Sequence, residues 1–264
     1  MTTVSGLPTN PNLKAATVTC IFRVCCSSLV TQAKMAGTGK DMLLYWGSGS
    51  PPCWRLMIVL EEKGLSDCEK KIISFSEKGH KSDEVLKLNP RGQVPTFKCG
   101  NLVINESNAS CLFLEDTYKS GTQLIPSEPA RKANVLQRMF EVPSFNKVAF
   151  EDVLGQYFFA KKPEDIDQEK MKKGKAALKE ELAMWEGYLV KAGGTYLDGG
   201  GFTMADAFFF PTLAFLVRNG LKLGPTFPKL AAYYDAVSKR PSVQKSWPPH
   251  FKESEGKQHL ADVL

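Results

Sequence analysis

The stretch from Asn89 to Ser107, NPRGQVPTFKCGNLVINES, constrains the rest of the chain more than any other. Gln93 to Phe97 reads as a short strand carrying a proline near its start, where a missing backbone N–H costs least. Lys98 to Asn101 reads as a turn, Leu102 to Asn105 as a second strand, and Glu106–Ser107 as the start of a helix. A trans Val94–Pro95 bond makes this an ordinary hairpin. A cis bond bends the chain there and turns the Val94 N–H and C=O outward, available to a ligand.

The segments before the hairpin set its context. Met42 to Gly47 reads as a buried strand and Cys53 to Lys63 as a helix. Pro51 and Pro52 suit a helix's first turn, where absent donors cost nothing, Ser50 stands where an N-cap belongs, and Gly64 supplies the stop. Lys70 to Phe75 alternates as a second strand, parallel to the first, and Lys81 to Leu88 is a short helix. With a helix from Ser107 to Tyr118 the order becomes βαβαββα.

A linker over 122–130, containing Pro126 and Pro129, separates this domain (40–121) from one that reads helical throughout (131–251). Leu178, Leu182, Trp185 and Leu189 recur at helical spacing as one buried face. Pro143 is expected to kink a long helix starting near Ala130. Thr203 and Asp206 are spaced as a capping box at a helix start, a folding device. Pro228 to Lys239 is the last helix, and 252–264 a polar tail.

Composition narrows the function classes. The net charge of +6 is unevenly placed: residues 1–40 hold Lys14, Arg23, Lys34 and Lys40 and no acid. The remainder is nearly balanced, with no basic stripe interleaved with aromatics, which argues against nucleic-acid binding. No apolar run reaches 18 residues, so no membrane-spanning helix is expected. The seven cysteines (20, 25, 26, 53, 68, 99 and 111) are odd in number and lack metal-site spacing, so reduced thiols in the cytoplasm and no metal are expected. Residues 1–34 read as a disordered extension.

The strand ending at Gly47, the loop Ser48 to Pro52, the helix after it, NP…QVP and then NES together resemble the soluble glutathione transferases. The wording WGSGSPPCWR and NESNASCLFLE is most similar to the rho class, and the resemblance runs from about Met42 to about Phe251. It implies an α/β thioredoxin-like N-terminal domain and an all-α helical-bundle C-terminal domain. It implies a homodimer that adds glutathione to hydrophobic electrophiles in detoxification, with no cofactor beyond that co-substrate.

Such an enzyme must hold a thiol as thiolate near neutral pH. A helix N-terminus and a donated hydroxyl do so. Two prolines deprive the helix at Pro51 of donors, which makes a side-chain donor more necessary. Ser50 stands two residues before Pro52, the spacing of the catalytic serine in similar classes, although it could instead merely cap the helix. Ser48 is a fallback, and Tyr45 a rival by its likeness to the mu-class tyrosine. Cys53 would suit a disulfide-forming enzyme, or be a packed thiol. The resemblance further implies that Val94, held by Gln93 and Pro95, pairs its backbone with the cysteinyl unit of glutathione. Ser107 takes the γ-glutamyl carboxylate at a helix N-terminus, and Glu106 or Gln93 faces the ammonium group. His80 and Lys81 are placed for the glycyl carboxylate, where Gly92 replaces the basic residue of delta-class proteins. Phe140, Phe145, Phe150, Tyr157, Phe158 and Phe215 are the aromatics available to an apolar acceptor. A non-catalytic glutathione-binding relative and a zeta-like isomerase are the alternatives.

Overall fold

A computed structural model of the chain describes residues 39–263. The extension expected over residues 1–34 lies outside the described residues. The first half is β1 Met42–Gly47, α1 Pro51–Glu62, β2 Glu69–Ile73, α2 Asp83–Leu88, β3 Thr96–Cys99, β4 Leu102–Ile104 and α3 Ser107–Thr117. The strands form one sheet in the order β2-β1-β3-β4, with β1 and β2 parallel and the other pairs antiparallel. This is the thioredoxin-like layout.

Several boundaries move, for local reasons. The helix expected from Cys53 starts at Pro51 and ends at Glu62, because proline is most at home in a first turn; Lys63 caps it, and Gly64 follows at φ +72°. Strand β3 begins at Thr96, since the Gln93 carbonyl is taken by the Asn89 amide (3.0 Å) and the Thr96 hydroxyl (2.8 Å). It then runs through Lys98 and Cys99, both expected in a turn, and the reversal is left to Gly100 (φ +56°) and Asn101. The Val94–Pro95 peptide is cis.

The second half is helical: α4 Pro129–Asn146, α5 Gly155–Phe159, α6 Gln168–Ala192, α7 Met204–Arg218, α8 Pro228–Ser238, α9 Pro241–Lys245 and α10 Pro249–Glu253. Helix α4 runs through Pro143. The departure from regular geometry comes after it, where Lys147–Leu154 winds in wider turns bonded five residues apart. The α6 face of Leu178, Leu182, Trp185 and Leu189 is buried, and Trp185 stacks on Phe209 of α7 at 3.9 Å. Asp206 is fully buried. It accepts the Thr203 N–H (2.7 Å), the Thr203 hydroxyl (2.9 Å) and the Leu197 N–H (3.0 Å). Burial pushes its carboxyl up to about 6 against those three donors.

Helix α1 is the member the halves share. The Trp54 indole N–H donates to the Ser246 hydroxyl (3.1 Å), and its ring meets Phe210, Trp247 and Phe251 edge to face. At its other end the Glu62 carboxylate accepts both Arg240 Nε (2.6 Å) and Arg240 Nη2 (2.8 Å), and the Ser242 hydroxyl. The polar residues after α10 do not trail away. Lys175 pairs with Asp262 (2.7 Å), His259 stacks on Tyr157 at 4.2 Å, and Leu260 is buried. No helix among the described residues is long and apolar enough to cross a membrane.

Candidate active site

A cleft of about 630 Å³ opens where the sheet's loops face α4 and the turns after it. One wall is the β1–α1 loop. Its turn is closed by the Ser50 N–H on the Gly47 carbonyl (3.2 Å) and needs Gly49 at φ +80°. A Cβ on Gly49 would lie 2.5 Å from His250 Cε1, so the loop is also held from α10. Ser50, Pro51 and Pro52 line the cleft. Ser50 is the N-cap by position and its carbonyl takes the Trp54 N–H (2.9 Å), but its hydroxyl accepts nothing from the helix. The two prolines removed the donors it would have capped. Its hydroxyl lies instead beside the Cys53 thiol. Burial pushes that thiol up to about 11, with Ser50 and the Gly47 N–H acting in the opposite sense. Cys53 is therefore a protonated, packed thiol.

Gly92, Gln93, Val94 and Pro95 form the opposite wall. Val94 lies outside the β1–β3 ladder, which begins at Thr96. The third side is the start of α3, where Glu106 occupies the N-cap position without a side-chain cap and Ser107 is buried in the first turn. First-turn N–H groups have no partner inside a helix, so this end faces the cleft as a donor.

Ser50, Gln93, Val94, Pro95, Glu106, Ser107 and His80 thus come together. Lys81 does not. Successive side chains of the tight turn Gly79–Lys81 diverge, and its ammonium is used by the Arg91 carbonyl at 2.8 Å. Its stem packs where a Cβ on Gly92 (φ +55°) would sit, 2.7 Å away. His80 lines the cleft beside Phe75, with Nδ1 buried and unpartnered. The rival hydroxyls are engaged elsewhere. Tyr45 donates to Glu84 (3.0 Å), and the Ser48 hydroxyl and His250 Nδ1 lie 2.6 Å apart. Tyr45→Phe and Ser48→Ala should accordingly leave turnover within about twofold, checked by steady-state kinetics against wild type.

Of the six aromatics considered for the acceptor, only Phe150 lines the cleft. Phe145 is buried between Trp185 and Phe209, Phe140 is exposed on α4, and Tyr157 is occupied by His259. Phe158 and Phe215 cluster behind Phe150. A periodic aromatic pattern is satisfied by core packing, so it could not sort these. The sequence reading missed Asn108, Asn146, Lys147 and Glu151 at the cleft, and above all Arg55. A lone arginine within the apolar run Cys53 to Leu60 was the available signal. Among the described residues no group of three or more His, Cys, Asp or Glu side chains could hold a metal ion.

Comparison with known proteins agrees with this geometry. The sequence model of the glutathione S-transferase N-terminal domain matches residues 49–117, and that of the C-terminal domain residues 150–246. Glutathione S-transferase A of Pleuronectes platessa is 48% identical over 228 residues, 85% of this chain and 99% of its own length. A crystal structure of a glutathione S-transferase from the Antarctic clam Laternula elliptica superposes with a TM-score of 0.78 at 45% identity, covering 85% of this chain and all of that one. A delta-class glutathione transferase of Nilaparvata lugens gives a TM-score of 0.69 at 26% identity, covering 80% and 97%.

Proposed function

The chain belongs to the glutathione S-transferase family, and from that premise we propose that the cleft binds glutathione and that Ser50 holds its sulfur as thiolate for attack on a hydrophobic electrophile. The observation that carries the proposal is the placement of Ser50. Its hydroxyl stands at the α1 N-terminus, free of helix capping, across the cleft from Val94 and Ser107. In this reading the backbone of Val94 pairs with the cysteinyl unit as an added strand. The α3 N-terminus at Ser107 takes the γ-glutamyl carboxylate, and Glu106 or Gln93 the ammonium group. His80 faces the glycyl carboxylate with a buried nitrogen that has no other use.

The thiolate then gains from a charge-assisted hydrogen bond and from the helix dipole, and attack forms the S–C bond as the electrophile's leaving group departs or its unsaturated bond takes up a proton. The acceptor lies towards Pro143, Lys147 and Phe150. A second hollow of about 540 Å³ shares Phe150 and Glu151 and adds Phe159, which supports an apolar acceptor. No cofactor beyond glutathione is required. We place the protein in the rho class on the wording of its first loop and α3, in the cytoplasm, as a homodimer to which exposed Leu102 and Phe140 offer apolar surface.

The test is an assay with glutathione and an activated aromatic halide, run beside an isomerase assay. The expected result is conjugate formation proportional to enzyme, without isomerisation. Isomerisation alone would move the chain to the zeta-like reading. Tight glutathione binding with neither reaction would make it a non-catalytic relative.

A further inference from the structure

Arg55 is only 4% exposed, in a helix face otherwise made of apolar side chains. Its guanidinium lies over the Phe208 ring at 4.6 Å, and Nη1 donates to Asn108 Oδ1 at 2.5 Å. Nε and Nη2 are buried without a hydrogen-bond partner, and no ion pair among the described residues involves it. Burial lowers its pKa only to about 10, so it is charged at neutral pH. A buried charge with no counterion is costly, and folds retain one where something else supplies the opposite charge.

The bond to Asn108 also fixes an orientation. Arginine can only donate, so it must hold the amide by Oδ1 and leave the Nδ2 group turned away from it. Asn108 follows Ser107 in the first turn of α3, and both line the cleft with Arg55. The Ser107 hydroxyl, the first-turn N–H groups and the Asn108 amide therefore form a cluster of donors with one fixed positive charge behind it.

We infer that Asn108 is a binding residue for the α-carboxylate of the γ-glutamyl group, and that Arg55 is the positioning residue that orients it and supplies the missing counter-charge. The inference rests on the glutathione reading and adds to it the pair that selects a ligand carrying a carboxylate at this end. Ser107 alone offers a donor site but no cation.

The experiment is calorimetry on the full chain with two peptides: glutathione, and 4-aminobutanoyl-cysteinylglycine, which lacks only that carboxylate. Wild type should prefer glutathione by about 10- to 100-fold, the range of a hydrogen bond to a charged group. Asn108→Asp keeps the acceptor for Arg55 and gives it a carboxylate partner, so its melting temperature should not fall. It should nevertheless abolish the preference, with affinity for the truncated peptide unchanged. Asn108→Ala and Arg55→Lys should reduce the preference part of the way. An undiminished preference in Asn108→Asp, or equal losses for both peptides, would overturn the inference while leaving the glutathione reading intact. Wild type that binds neither peptide would overturn both.

Discussion

Ser50→Ala is expected to raise the pKa of bound glutathione by about one to two units, because a hydrogen bond to a charged acceptor contributes roughly 1.5–3 kcal/mol and each 1.36 kcal/mol is one unit. Turnover at pH 6.5 should fall by about one to two orders of magnitude and partly recover as pH rises. Glutathione affinity measured well below that pKa should hardly change, since the neutral thiol has little use for the donor. The check is an ultraviolet thiolate titration alongside a pH–rate profile. The Cys53 thiol beside Ser50 gives the test its control. It is protonated and buried, so Cys53→Ala should leave the titration where it is. A shift caused by Tyr45→Phe instead would place the thiolate donor on β1, although Tyr45 now donates to Glu84.

The features of this site that could be read from the sequence are those fixed by neighbours in the chain. Pro51–Pro52, Gly64 and the Gln93–Val94–Pro95 triplet each state a local backbone requirement, and the capping spacing of Thr203 and Asp206 states another. Features that depend on a partner far along the chain were not legible. Lys175 and Asp262 are 87 residues apart, so 252–264 looked like a solvated tail although Leu260 within it is buried. Arg55 meets Asn108 across 53 residues, and nothing beside either residue announces the other. Lys81 failed for the opposite reason. It is adjacent to His80, but a tight turn sends adjacent side chains to different places.

Asp206→Ala should be the most destabilising single substitution considered for the helical half. It strips two buried backbone N–H groups, of Thr203 and Leu197, of their acceptor. Each such loss costs about 1–3 kcal/mol, and a lost cap costs of the same order. For a chain of this size each kcal/mol lowers the melting temperature by about 2–4 °C, so a fall of about 10 °C is expected in calorimetry. Asp206→Asn keeps one acceptor oxygen and should lose less. The pair also reports a titration. Burial raises the folded carboxyl to about 6 from a model value of 3.8, so between those values the folded state binds the extra proton. By linkage, this group's contribution to stability then rises as pH falls through that window. Wild type should gain on Asp206→Asn between pH 6 and pH 4. Parallel melting curves across that range would show that the buried carboxyl does not titrate.

The first turn of α1, which presents Ser50, has a consequence for ancestry. Its tryptophan is seated on Ser246, Trp247 and Phe251, and the glycine before it is shaped around His250. A recombination event at the linker would seem to trade one acceptor pocket for another and leave the sulfur chemistry alone. It would in fact replace the ground on which the sulfur's hydroxyl stands. In this lineage the two halves have to be inherited as one, and drift in the last twenty residues is paced by what the first loop will tolerate.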